Sequence, residues 1–85
     1  MAKWEATETR KISLEVTDKK EDFVAGVVAV YLVSDTDCYV DFDRVATTSS
    51  FLVKANQFYH MELVHFTQLH AIGTSGNLFI CVARG

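Results

Sequence analysis

Residues 35–44 alternate with a period of two: Cys38, Val40 and Phe42 on one side, Asp37, Tyr39, Asp41 and Asp43 on the other. A period of two puts successive side chains on opposite faces of an extended chain, so this stretch reads as a half-buried strand with an acidic outer face. The same alternation recurs at 10–17, where Ile12, Leu14 and Val16 oppose Lys11, Ser13 and Glu15. Residues 51–54, 58–66, 68–72 and 78–83 read as further short strands, and Gly73, Thr74, Ser75, Gly76 and Asn77 form a turn. Residues 23–33 are apolar on both faces; valines and flanking turn residues favour strand over helix, and Gly26 suggests a bulge. Residues 18–22 are charged throughout and read as a loop, with no apolar face for a helical turn to bury.

About seven strands at regular spacing, without a helix, predict an all-β fold. The expected architecture is a small antiparallel β-sandwich or barrel, Ig-like or a reduced jelly roll. Residues 1–9 carry no periodicity and Trp4 is their only large apolar side chain, so they read as an N-terminal arm on a domain spanning 10–85. Trp4 either folds back on its own domain or anchors the arm on a neighbour, where aromatic residues are enriched.

Size changes the picture. A chain of 85 residues with 49% hydrophobic residues forms one domain whose core only roughly offsets the entropy of ordering it. A strand apolar on both faces needs two covers, and one of them is expected from another subunit. There is no proline to block a sheet edge, which leaves edges free to pair. The net charge of −3 and scattered Lys and Arg argue against nucleic acid as a partner, which needs a basic face. No apolar stretch is long enough to cross a membrane as a helix, and no signal peptide is recognisable at residues 1–5. Synthesis in a cytoplasm is expected, with Cys38 and Cys81 reduced.

Candidate chemistry is sparse. Asp35, Asp37, Asp41 and Asp43 lack the spacing and the glycine of a calcium loop, and read as a solvated acidic face. His60 and Glu62 share a strand face, a fragment of a cupin-type metal set without its second histidine. No metal or cofactor is expected. Cys38 and Cys81 read as two buried free thiols. No nucleophile–base set, phosphate loop or zinc spacing occurs, so no catalytic residue is assigned. Trp4, Tyr31, Tyr39 and Tyr59 remain as candidate partner-binding residues. Tyr39 and Tyr59 beside carboxylates also fit a sugar-binding surface.

The runs 37–56 and 70–76, with the final apolar strand, resemble small virion proteins of tailed bacteriophages. The resemblance spans roughly 12–84 and consists of strands and turns; residues 1–9 lie outside it. It implies a non-enzymatic β-sandwich protein that coats or joins parts of a virion, such as an oligomeric capsid decoration (cement) protein. Its partners would be its own subunits and virion proteins such as the major capsid protein. The alternative is a tail- or fibre-associated sugar-binding module.

Overall fold

The computed structural model describes residues 6–62 and 64–84. Eight strands follow in order: β1 (Ala6–Ser13), β2 (Lys19–Asp22), β3 (Val27–Ser34), β4 (Cys38–Phe42), β5 (Phe51–Val53), β6 (Phe58–Glu62), β7 (Gln68–Ile72) and β8 (Asn77–Arg84). They form two four-stranded antiparallel sheets, ordered β1-β8-β3-β6 and β2-β7-β4-β5. Pairing is nested: β1 with β8, β2 with β7, β3 with β6, β4 with β5. Successive strands mostly alternate between the sheets, as if one long hairpin were rolled up. This is the jelly-roll arrangement, so of the two expected sandwich types the Ig-like one is set aside.

The core lies between the sheets and follows the period-two pattern. Val30, Leu32, Leu78, Ile80 and Val82 of the first sheet meet Cys38, Val40, Val53, Leu69 and Ala71 of the second, all nearly or wholly inaccessible. Phe23 and Phe66 stack edge to face, with centroids 5.8 Å apart, and close one end. The sheet edge between β1 and β2 is closed by charge rather than by carbon. Glu8 bridges Arg10 and Arg84, Arg10 reaches Glu21 at 3.5 Å, and its guanidinium lies 5.2 Å from the Phe23 ring centroid.

Several expectations need correction. Strand β1 begins at Ala6, not at residue 10: residues 6–9 of the expected arm form a ladder with 81–84. Thr7, Glu8 and Thr9 have no apolar alternation to announce a strand; backbone pairing and the Arg84–Glu8 contact of 2.6 Å hold them. Trp4 and the rest of the arm lie outside the described residues. Residues 19–22, expected as a loop, form edge strand β2 against β7. The long apolar run is a strand only from Val27, because Gly26 takes φ +109°, and the register shift falls between Val27 and Ala29. Strand β6 stops at Glu62.

Candidate functional site

The two sheets have outer faces of different character. Register fixes the first. Across β1-β8-β3-β6 the register gives three outer rows: Lys11, Phe79, Val33, Phe58; then Thr9, Cys81, Tyr31, His60; then Thr7, Ala83, Ala29, Glu62, of which Ala83 and Ala29 are buried, so the open surface lies on the first two rows. The middle strands contribute only apolar and aromatic groups. Phe58 is 66% and Phe79 43% exposed, and with Tyr31, Val33 and Cys81 they line a groove of about 210 Å³. The Tyr31 ring stacks on His60 at 4.3 Å and tilts against Phe58 at 5.6 Å. Burial pushes the Tyr31 hydroxyl pKa up, with help from the nearby Glu62 carboxylate. These rings form one contiguous cluster. Of the expected partner-binding residues among those described, Tyr31 sits on it.

Tyr39 is on the opposite side of the molecule. It faces outward from β4, in a shallow groove of about 280 Å³ with Val16, Thr48, Ile72 and Thr74. Tyr59 belongs to neither face. Its hydroxyl accepts from the Lys54 amide at 3.0 Å and donates to Gln57 Oε1 at 3.2 Å, while its ring meets Phe51 edge-on. It fastens β5 to β6 across the sandwich edge. The tyrosines therefore do not converge on one site.

The acidic residues are solvated, as expected, with Asp35, Asp37 and Asp43 exposed, and they also fasten loops. Asp35 accepts from the Asn77 amide at 2.7 Å. Asp37 accepts from the Ala55 amide at 2.8 Å and from Lys54 Nζ at 3.3 Å. Asp41 accepts from the Ser50 hydroxyl at 3.0 Å. Asp43 accepts from the Thr67 and Gln68 amides at 3.0 and 2.8 Å. Backbone amides hold the Asp37 and Asp43 carboxyls below the usual carboxylate range, with Lys54 adding to the effect at Asp37. Each carboxylate is spent on a distant segment of the chain.

His60 lies 3.3 Å from Glu62, while His70 is far along the chain on β7; no group of three potential metal ligands occurs among the described residues. His70 was missed as a structural centre. It is buried, with Nδ1 2.7 Å from Asp18 Oδ2 and Nε2 3.1 Å from Gln68 Oε1. An Asp–His pair could serve a nucleophile, but here Nε2 meets an amide oxygen and not a hydroxyl or thiol. Asp18 also accepts from the Ala46 amide at 2.9 Å, so the cluster ties the loop after β4 down onto β7.

Cys38 is buried in the core, and burial pushes its thiol pKa up. Cys81 is a correction: it is half-exposed and lies on the outer aromatic face of the other sheet. Both thiols are free. Phe58, Val33 and Phe79 were not singled out from the sequence, although a signal existed. In β8, Phe79 and Cys81 alternate with Leu78, Ile80 and Val82, so that strand too is apolar on both faces. Among the described residues no helix is long and apolar enough to cross a membrane. No protein-family model and no curated protein matches this chain.

Proposed function

We propose that this chain is a non-enzymatic structural protein of a tailed-bacteriophage virion, a capsid decoration (cement) protein that works as an oligomer. The observation that carries the reading is the outer face of β1-β8-β3-β6, where Tyr31, Val33, Phe58 and Phe79 present a continuous aromatic and aliphatic surface on a domain too small to leave one idle. Exposed apolar surface of this kind marks contact with another macromolecule. The polar clusters support the same reading from the other side, because their acceptor and donor atoms are used in fastening loops. The resemblance read in 37–56 and 70–76 supplies the kind of assembly. The jelly roll adds an analogy at the level of fold alone, since it recurs in viral capsid proteins and also in lectins and cupins. The neighbours would be its own subunits and the major capsid protein, in the virion after synthesis in a host cytoplasm, with Trp4 as an additional anchor.

The test is quantitative mass spectrometry of gradient-purified particles. Hundreds of copies per particle are expected; a dozen or fewer would move the protein to a tail or fibre, and its absence from particles would end the reading. Substituting Trp4→Ala should lower occupancy without lowering the melting temperature of the isolated protein. The rival reading, a tail- or fibre-associated sugar-binding module, rests on the Tyr39 groove with its Thr48 and Thr74 hydroxyls. Glycan binding lost in Tyr39→Ala would favour it.

A further inference from the structure

The inward side of β1 changes character along its length. Its alternate positions are Glu8, Arg10, Ile12 and, just past its end, Leu14. Ile12 and Leu14 are buried in the core, and the Leu14 amide donates to Gly76 O at 2.8 Å. Glu8 and Arg10 are half-buried and meet charge where Ile12 and Leu14 meet carbon. On the other side of the strand Thr7, Thr9 and Lys11 are exposed. From Thr7 to Lys11, then, no buried apolar side chain holds β1 down. Backbone pairing with β8 and a network of charged groups do so.

Glu8 is the centre of that network. One carboxylate oxygen accepts from Arg10, and the other accepts from Arg84 Nη2 at 2.6 Å. Arg10 reaches Glu21 of β2 at 3.5 Å, and Arg84 Nε donates to Val24 O at 3.3 Å. The Glu8–Arg10 pair lies within β1, so the ion pairs that tie β1 to the rest of the molecule are Glu8–Arg84 and Arg10–Glu21. The seam is also imperfectly satisfied. Arg10 Nη1 is buried without a hydrogen-bond partner among the described residues, and opening to water removes the cost of that unbonded donor.

We propose that residues 7–11 form an ionic latch, closed at low ionic strength and opened as salt screens the Glu8–Arg84 and Arg10–Glu21 pairs. Ile12 and Leu14, fixed by the core, are its hinge. Opening lifts the first half of β1 from residues 79–83 of β8, which then keeps β3 alone as its partner there. That stretch of β8 becomes an open sheet edge with unpaired backbone groups. The Debye length falls from about 10 Å at 0.1 M salt to about 3 Å at 1 M. Only the latter is comparable with separations of 2.6 and 3.5 Å, so molar salt is the trigger range. The latch belongs to the single chain and does not rest on the proposed assembly role.

Local opening of this kind is read by amide hydrogen exchange. The parent protein is compared at about 0.05 M and about 1 M NaCl, each rate normalised to a synthetic peptide of residues 6–14 in the same buffer. The protected amides within 7–11 should open roughly fivefold more at high salt, while the Leu14 amide and those of β3 change by less than about twofold. Glu8→Gln keeps the length of the side chain and removes its charge. Its amides at 7–11 should show the raised opening already at low salt and respond to added salt by less than about twofold. Circular dichroism checks that the variant keeps the fold; if it does not, the salt comparison on the parent decides alone. The inference is overturned by a parent without a salt effect at 7–11, by an equal effect on β3, or by a folded Glu8→Gln that exchanges as the parent does.

Discussion

Asp43 is the most informative residue to change. It ends β4 with φ +58°, in the left-handed region. From there its carboxylate accepts from the Thr67 and Gln68 amides while its own amide donates to Gln68 O at 2.9 Å. Asp43→Ala removes these two amide bonds, each contributing about 1 kcal/mol at this exposed site, the lower part of the usual range, and a longer, weaker one from the Thr67 hydroxyl at 3.3 Å. Alanine in the left-handed region adds about 1 kcal/mol more. The expected loss is therefore ~3 kcal/mol, a large share of the 5–15 kcal/mol typical of folded domains. Asp43→Gly loses the bonds but relieves the backbone, and should cost about 1–2 kcal/mol. Asp43→Asn keeps an acceptor oxygen and tolerates the conformation, and should cost ~1 kcal/mol.

Urea unfolding followed by circular dichroism measures all three. The pH dependence follows from the sign of the shift. The folded carboxyl titrates below its unfolded value of about 3.9, with the Thr67 and Gln68 amides as the cause. Its stabilisation is complete above the unfolded value and is lost as pH falls through the folded one. The gap between parent and Asp43→Asn should thus be full at pH 7 and close below about pH 4. Alanine matching the parent, glycine no better than alanine, or asparagine as poor as alanine would each refute the reasoning.

Three further outcomes are expected. Gly76→Ala should destabilise by roughly 2–4 kcal/mol in the same assay, because Gly76 has φ +94° and a Cβ there would collide with Asp35 and lie 2.7 Å from Thr36 Oγ1. In the native protein a thiol reagent should titrate Cys81 promptly and Cys38 only after unfolding, since Cys38 is 1% exposed. Leu69→Ala, at a wholly buried position, should cost about 2–5 kcal/mol by thermal or urea melting.

The fold class was legible because inward residues announce themselves. Cys38, Val40, Leu78, Ile80 and Val82 alternate as a half-buried strand must, and each is buried on the expected side. Strand β2 was not legible: Lys19, Lys20, Glu21 and Asp22 bury almost nothing, and their extension comes from β7 alone. The same holds for residues 6–9. The roles of the aspartates were hidden for a related reason. Their partners, such as Ala55 for Asp37 and Gln68 for Asp43, lie many residues away, and an amide donor is the same in every residue type. The aromatic face was half visible, in the doubly apolar run at 23–33. Its completion by Phe58 and Phe79 needed the strand order, which no local pattern encodes.

The nested pairing has a consequence for how the chain reaches this structure. Strand β8 is made after the other seven described strands, yet it sits between β1 and β3 in the middle of its sheet. Until it arrives, β1 has no partner in that sheet, and the inner faces of β1 and β3 lack the strand that joins them. Pairing of such sequence-distant strands is slow, because loop closure must precede any reward. During synthesis the early strands are therefore held in an unfinished, apolar state, and the ordering of the first sheet is all-or-none at the last strand. A ribosome stalled before residue 77 would carry a chain prone to aggregate.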